Sequence, residues 1–353
     1  MKDGLLVRWR SLSERESPLL SWRVAPRLPS MVLVLALLGF AAFLVNVQQG
    51  EYPISIPDIL KTLLGFDTGN PDHAFVIYTL RLPRTLVAFM VGVALAISGT
   101  IFQGLTRNVL ADPSIIGINA GASLTAVAVI VLFPAAPIYV LPVAAFLGAL
   151  LIAVLIYSLA WNRGSSPTLL ILLGIGLSAI AGAFTSLMIT FGSIYDVSQA
   201  LVWLAGSVYG RTWEQVFALL PWVGLGIPTA LVLSRHLNVL NLGDEIAKGL
   251  GSRVEWQRGL LVLVAVALAG ASVATAGNIA FVGLIAPHAG RQLIGVNHQN
   301  LLPVAALLGG LLVTLADLVG RTVFAPIELP CGVITAVLGA PFFLYLLIYG
   351  RSR

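Results

Sequence analysis

Long stretches of this chain carry no charged side chain, and their positions lay out its architecture. Residues 28–50, 85–106, 164–195, 215–234, 292–316 and 329–350 contain no Asp, Glu, Lys or Arg. Two further charge-free runs, 113–162 and 259–290, exceed the roughly 20 residues that one membrane helix needs. Pro134 and Pro137 can turn the chain inside the first, and Gly277-Asn278 can break the second. The pattern predicts ten helices, at 30–47, 83–104, 114–133, 140–160, 168–190, 213–234, 258–276, 280–294, 300–320 and 330–349, the eighth short for a full crossing. Residues 54–65 are amphipathic and 195–205 end in an apolar turn; both read as helices lying at the outer surface rather than crossing.

Composition agrees with this reading. Of 353 residues, 58% are hydrophobic and 10% charged, against about 25% charged in an ordinary globular chain. A soluble enzyme, a disordered chain and a nucleic-acid binder are excluded, and no nucleic-acid partner is expected from the net charge of +5. A single cysteine, Cys331, excludes an internal disulfide framework and a multi-cysteine metal site. The expected fold class is an all-α integral membrane protein.

Counting Lys and Arg on each side sets the expected orientation. With the amino end inside, Lys2, Arg8, Arg10, Arg15, Arg23, Arg27, Arg107, Arg163, Arg235, Lys248, Arg253, Arg258, Arg291, Arg351 and Arg353 fall on the inner side. Lys61, Arg81, Arg84, Arg211 and Arg321 fall outside. This asymmetry predicts both ends in the cytoplasm, with the positive charge facing anionic lipid. Residues 1–29 read as a cytoplasmic tail and 30–350 as the membrane domain, with 235–257 as its longest cytoplasmic loop. No cleavage site closely follows the first apolar run, so no signal peptide is expected. An internal echo, Val-Gly-Val-Ala-Leu-Ala at 91–96 and Val-Ala-Val-Ala-Leu-Ala at 264–269, opens two four-helix blocks. Helices 2–5 and 7–10 would then form inverted repeats.

The residues themselves carry a resemblance. Arg81-Leu82-Pro83-Arg84-Thr85, Gly-Val-Ala-Leu-Ala-Ile-Ser-Gly at 92–99, Gln103, and Asn108 with Leu110-Ala111-Asp112-Pro113 form one set. Gly277-Asn278-Ile279-Ala280-Phe281-Val282-Gly283-Leu284, Pro287-His288, Arg291, and His298 with Leu301-Leu302-Pro303 form another. Glu328-Leu329-Pro330 and Gly339-Ala340-Pro341-Phe342-Phe343 close the pattern. Over about residues 55–350 the chain resembles the membrane subunit of binding-protein-dependent ABC importers for iron–siderophore complexes, haem and cobalamin. It departs from that pattern at Val109, where a proline is usual, and at Cys331, where an aliphatic residue is usual.

The resemblance implies a permease subunit with no enzymatic activity of its own and no cofactor or metal site. Its implied partners are a cytoplasmic ABC ATPase dimer, a periplasmic or lipid-anchored substrate-binding protein, and a second permease copy or related chain. A ferric siderophore is the commonest cargo of such proteins, with haem or cobalamin as alternatives. No GxxxxGK[ST] phosphate loop is present, in keeping with ATP hydrolysis on a partner chain. No HExxH or GxSxG motif is present either. The competing class is an ion-coupled secondary transporter or channel working alone. Such a carrier calls for buried carboxylates along a cavity. Asp317 lies inside a predicted helix near its outer end, and Arg321 four residues on can pair with it.

Three groups of candidate site residues follow. Within 235–257, Gly243-Asp244-Glu245-Ile246-Ala247-Lys248-Gly249-Leu250-Gly251 resembles the ATPase-coupling loop of this family. Asp244 and Glu245 can start a short helix, with Ala247 in its body and Gly251 to stop it. Arg81, Arg84 and Arg321 match positions that receive carboxylates of the binding protein, a task suited to the guanidinium fork. Asn108 and Leu110 match a cytoplasmic gate, and Pro167 and Thr168 a second constriction. His288 reads as a packing histidine more than as a ligand. Gly117-x-x-x-Gly121 and Gly206-x-x-x-Gly210 read as close helix contacts.

Overall fold

A computed structural model describes residues 25–50, 52–114, 117–161 and 167–349. Residues 1–24 of the expected tail, together with Arg163, Arg351 and Arg353, lie outside the described residues. The described residues fold entirely as helices and connecting turns. They are α1 (Leu28–Gln48), α2 (Ile56–Leu63), α3 (Pro71–Phe75), a π turn (Val76–Arg81), α4 (Leu82–Thr106), α5 (Ile118–Leu132), α6 (Val140–Trp161) and α7 (Pro167–Phe191). There follow α8 (Ile194–Ala205), α9 (Trp213–Asn241), α10 (Asp244–Gly249), α11 (Val254–Ala276), α12 (Val282–Ile294), α13 (His298–Thr322) and α14 (Cys331–Tyr349).

Eight helical stretches among the described residues are long and apolar enough to cross a membrane, α3 through α4 counting as one of 36 residues. The short apolar helix α5 and the 13-residue α12 stand beside them. A long–short–long–long sequence of lengths recurs in α4–α7 and in α11–α14.

The bundle is built around α4, which is buried along nearly its whole length. Small residues let its neighbours approach to backbone contact. A Cβ on Gly92 would lie 2.1 Å from the Gly309 carbonyl oxygen on α13, and one on Gly99 would lie 2.1 Å from the Gly283 oxygen on α12. Ser98 donates to the Ala265 carbonyl on α11 at 2.8 Å. Gly99→Val should therefore lower the unfolding temperature of the detergent-solubilised chain by several degrees or prevent its accumulation, since overpacking against backbone cannot relax. Gly176→Val, where a Cβ meets nothing within 4 Å, is the control; equal behaviour of the two would refute the packing account.

Several boundaries differ from the sequence pattern. Pro83 reads as a helix start, yet the helical chain passes through it from Pro71. The π turn explains this: the Leu82 N–H reaches back to Ile77, and the widened turn relieves the clash between a proline ring and the preceding turn. The helix expected at 213–234 runs on to Asn241, which shortens the loop expected at 235–257. Arg235 ends the charge-free run but not the helical period, because Leu233, Leu237 and Leu240 stay buried on one face. The two surface helices expected at 54–65 and 195–205 are α2 and α8.

Gly117 and Gly121 pack as expected, a Cβ on Gly121 meeting the Gly148 oxygen at 2.4 Å. Gly206 packs on Asn278, but Gly210 faces open space, so the second small-residue pair is only half a contact. Cys331 is buried with its Sγ 3.8 Å from the Gly206 oxygen.

Candidate functional site

The α10 stub begins and ends as its residue types dictate. Gly243 and Gly251 take positive φ values of 114° and 80° that favour glycine. Asp244 and Glu245 occupy the first turn, where a carboxylate meets the positive end of the helix. Ala247 is fully buried, fixing the stub to the bundle. Asp244 accepts two hydrogen bonds of 2.8 Å from Arg258 on α11. It also pairs at 3.1 Å with Arg107, the left-handed cap of α4. Arg258 is itself buried. One carboxylate thus holds the stub to the ends of two core helices. On its other side the stub exposes Ile246 (55%) and Leu250 (64%), with Leu242 just before it. Glu245 is exposed beside them.

The rim that carries α2 and α3 holds the three candidate arginines, and all three turn toward the protein. Arg81 is buried and donates to the carbonyls of Val47 (2.8 Å), Gln48 (3.0 Å) and Tyr52, closing the carboxyl end of α1. Arg84 forms a bidentate pair with Asp317, its Nη2 at 2.8 Å from Oδ1. Its Nη1 meets Glu328 at 3.0 Å, and the guanidinium sits 5.5 Å from the Tyr209 ring centroid. Arg321 donates to the backbone oxygen of Asn46 and, at 2.8 Å, to its side chain. Its distance to Asp317 is 4.0 Å, so the main partner of Asp317 is Arg84 rather than the neighbour four residues along. Tertiary packing decides this: the glycine contact of α4 with α13 brings Arg84 to Asp317. Asn46 also accepts from Thr85 and donates to Thr314, which completes a polar cluster joining α1, α4 and α13.

The gate candidates lie at two helix ends. Asn108 follows α4 and accepts from the Leu110 N–H at 2.9 Å, an arrangement internal to the turn. Asn108 is exposed and Leu110 half-buried. Pro167 opens α7, its side chain lying outside the described residues, and Thr168 next to it is exposed. His288 lies 3.0 Å from Gln292 and edge-on to Phe342 at 5.4 Å. No group of His, Cys, Asp and Glu suited to a metal ion occurs among the described residues.

Polar contacts that sequence reading missed lie where the helices break. Asn119 at the start of α5 donates to Asn278 in the break after α11 at 2.7 Å. Gln103 accepts from Arg291 and donates to the Gly283 oxygen at 3.1 Å. Asp112, in the loop after α4, is buried; burial pushes its carboxyl pKa up against the opposing hydrogen bonds from Ser114. Gln103 stands in a helix otherwise free of amide side chains, which is the signal that could have found it.

Comparison with known proteins follows the same outline. The model of the FecCD transport family matches residues 35–349. The Fe(3+)-citrate import system permease protein YfmE of Bacillus subtilis is 43% identical over 91% of this chain and 96% of its own. The cobalamin import system permease protein BtuC of Halobacterium salinarum is 45% identical over 79% of this chain and 75% of its own. A solved metal-chelate type ABC transporter in an inward-facing conformation superposes with a TM-score of 0.82 at 32% identity, covering 91% of this chain and 99% of that one. On the extent of these matches, the chain belongs to the FecCD transport family of ABC importer permeases, multi-pass proteins of the inner membrane whose ATPase is a separate subunit.

Proposed function

We propose that this permease carries a ferric siderophore or a related iron chelate across the membrane, driven by an ATPase dimer docked on the α10 rim. The observation that carries the coupling reading is the α10 stub, anchored by Ala247 and Asp244 while Ile246 and Leu250 stand exposed. A rigid, locally capped apolar knob suits a groove on a partner, and its ties to α4 and α11 can pass on a displacement. Permeases named for iron(3+)-citrate, iron(3+)-hydroxamate and achromobactin, each 42–43% identical over 89–91% of this chain, support an iron chelate, beside one cobalamin permease 45% identical over 79%.

In this reading the α10 rim and both ends face the cytoplasm. The spans number ten, with α5 and α12 as short members, and α4–α7 and α11–α14 are inverted repeats. The opposite rim receives a substrate-binding protein. Arg81 and Arg321 hold that rim in shape, and Arg84 exchanges Glu328 for a carboxylate of the partner. A second permease copy or a related chain completes the pathway, with Asn108, Leu110, Pro167 and Thr168 at its cytoplasmic end. Asp317, held by Arg84, serves as a structural anion rather than a proton carrier.

Reconstitution tests the function. Vesicles holding the chain with its ATPase should accumulate a ferric siderophore presented on the binding protein only when ATP is inside. Uptake should persist when ion gradients are collapsed. Uptake that needs an ion gradient and no ATP would overturn the reading.

A further inference from the structure

Arg211 is a cation with no ion-pair partner among the described residues. It lies in the connection between α8 and α9, half-buried, and its Nε is shielded from solvent with no hydrogen-bond acceptor among the described residues. No described carboxylate comes within ion-pairing distance, although the exposed Glu214 lines the same cavity. Burial lowers the pKa of this guanidinium. A partly shielded guanidinium gains from an anion within its reach.

Arg211 lines two cavities, one of about 520 Å³ against α8 and one that continues between α6 and α9. α6 and α9 both pack on α11. The gap between them holds a cavity of about 420 Å³ at the α8 rim, lined by Arg211, Thr212, Gln215 and Tyr139. Pro142, Val143, Ala218, Ala274 and Thr275 also line it, and the same five residues form part of a second cavity of about 220 Å³. The walls of that second cavity are almost wholly apolar, with Phe146 and Trp222 meeting at 4.6 Å between ring centroids. Val143 and Leu147, each 55% exposed, show that the gap opens sideways on the apolar flank of the bundle.

We infer that this groove binds an anionic phospholipid, its phosphate on Arg211 and an acyl chain along the gap between α6 and α9. The two halves of the groove match the two halves of such a molecule. A guanidinium suits a phosphate because it can donate two parallel hydrogen bonds. Thr212 and Gln215 supply polar groups at the headgroup level. Tyr139 is of the type that gathers at membrane–water boundaries. A free anion would use only the Arg211 end and leave the apolar gap unexplained.

The test uses the full chain, delipidated in detergent and then offered phosphatidylglycerol or phosphatidylcholine in mixed micelles. Bound lipid is counted by mass spectrometry, and the unfolding temperature is read in parallel. The parent should retain phosphatidylglycerol over phosphatidylcholine by about tenfold and be stabilised by it. Arg211→Gln should remove that preference. Ala218→Phe, which fills the gap and leaves Arg211 in place, should lower retention as well and keeps the test open if Arg211→Gln does not fold. Inorganic phosphate should neither stabilise the parent nor displace the lipid. Equal retention by the parent and both variants would overturn the inference, as would stabilisation by inorganic phosphate equal to that by phosphatidylglycerol.

Discussion

Ile246→Asp combined with Leu250→Asp should abolish ATP-driven uptake while leaving the amount of folded chain in the membrane unchanged. Both side chains stand on the exposed side of the α10 stub, four residues apart and therefore on one helical face. Neither contributes to the contacts that hold the stub, which run through Ala247 and Asp244. Placing two carboxylates at the centre of an apolar interface costs about 2 kcal/mol or more at each such position. Together that is about 4 kcal/mol, or roughly a thousandfold in affinity. Co-purification with the ATPase should fail and uptake should fall to background. Glu245→Ala, at the edge of the same surface, should have a much smaller effect. Normal uptake by the double variant would remove α10 from the coupling path.

Asp317→Leu should have the largest effect on stability. The carboxylate is buried and receives the bidentate fork of Arg84. Removing it strands Arg84 with only the partly exposed Glu328, and leaves Arg321 with Asn46. Breaking a buried pair from one side costs about 3–5 kcal/mol. The unfolding midpoint of the solubilised chain should drop, and less protein should reach the membrane. Adding Arg84→Met should recover part of the loss, because no unpaired charge then remains at that point. A double variant no more stable than Asp317→Leu alone would show that the stranded Arg84 charge is not the source of the loss.

What the sequence revealed depended on the range of the forces involved. The spans were legible because charge is excluded from the membrane interior wherever a segment lies, so charge-free runs mark it out. The α10 stub was legible because its causes are local: two carboxylates at the start and glycines at either end. The passage of the helix through Pro83 was hidden, because the π turn that accommodates it leaves no mark in residue type. The true end of α9 was hidden by Arg235, a charge compatible with a helix though not with a span. The pairing of Arg84 with Asp317 joins residues 233 positions apart and depends on two glycine-lined helices meeting. The sequence offered only the neighbour four residues away. Gly210 failed as a contact because a glycine pattern states where close approach is possible, not whether another helix is there.

The hydrogen bond between Asn119 and Asn278 has a consequence for how the chain is made. The two residues are 159 positions apart. A ribosome adding about 5–20 residues per second delivers the second about 8–30 s after the first. During that interval the Asn119 amide lacks the partner that it has in the folded chain. A chain stopped before residue 278 should therefore depend on water or on another protein to satisfy that amide.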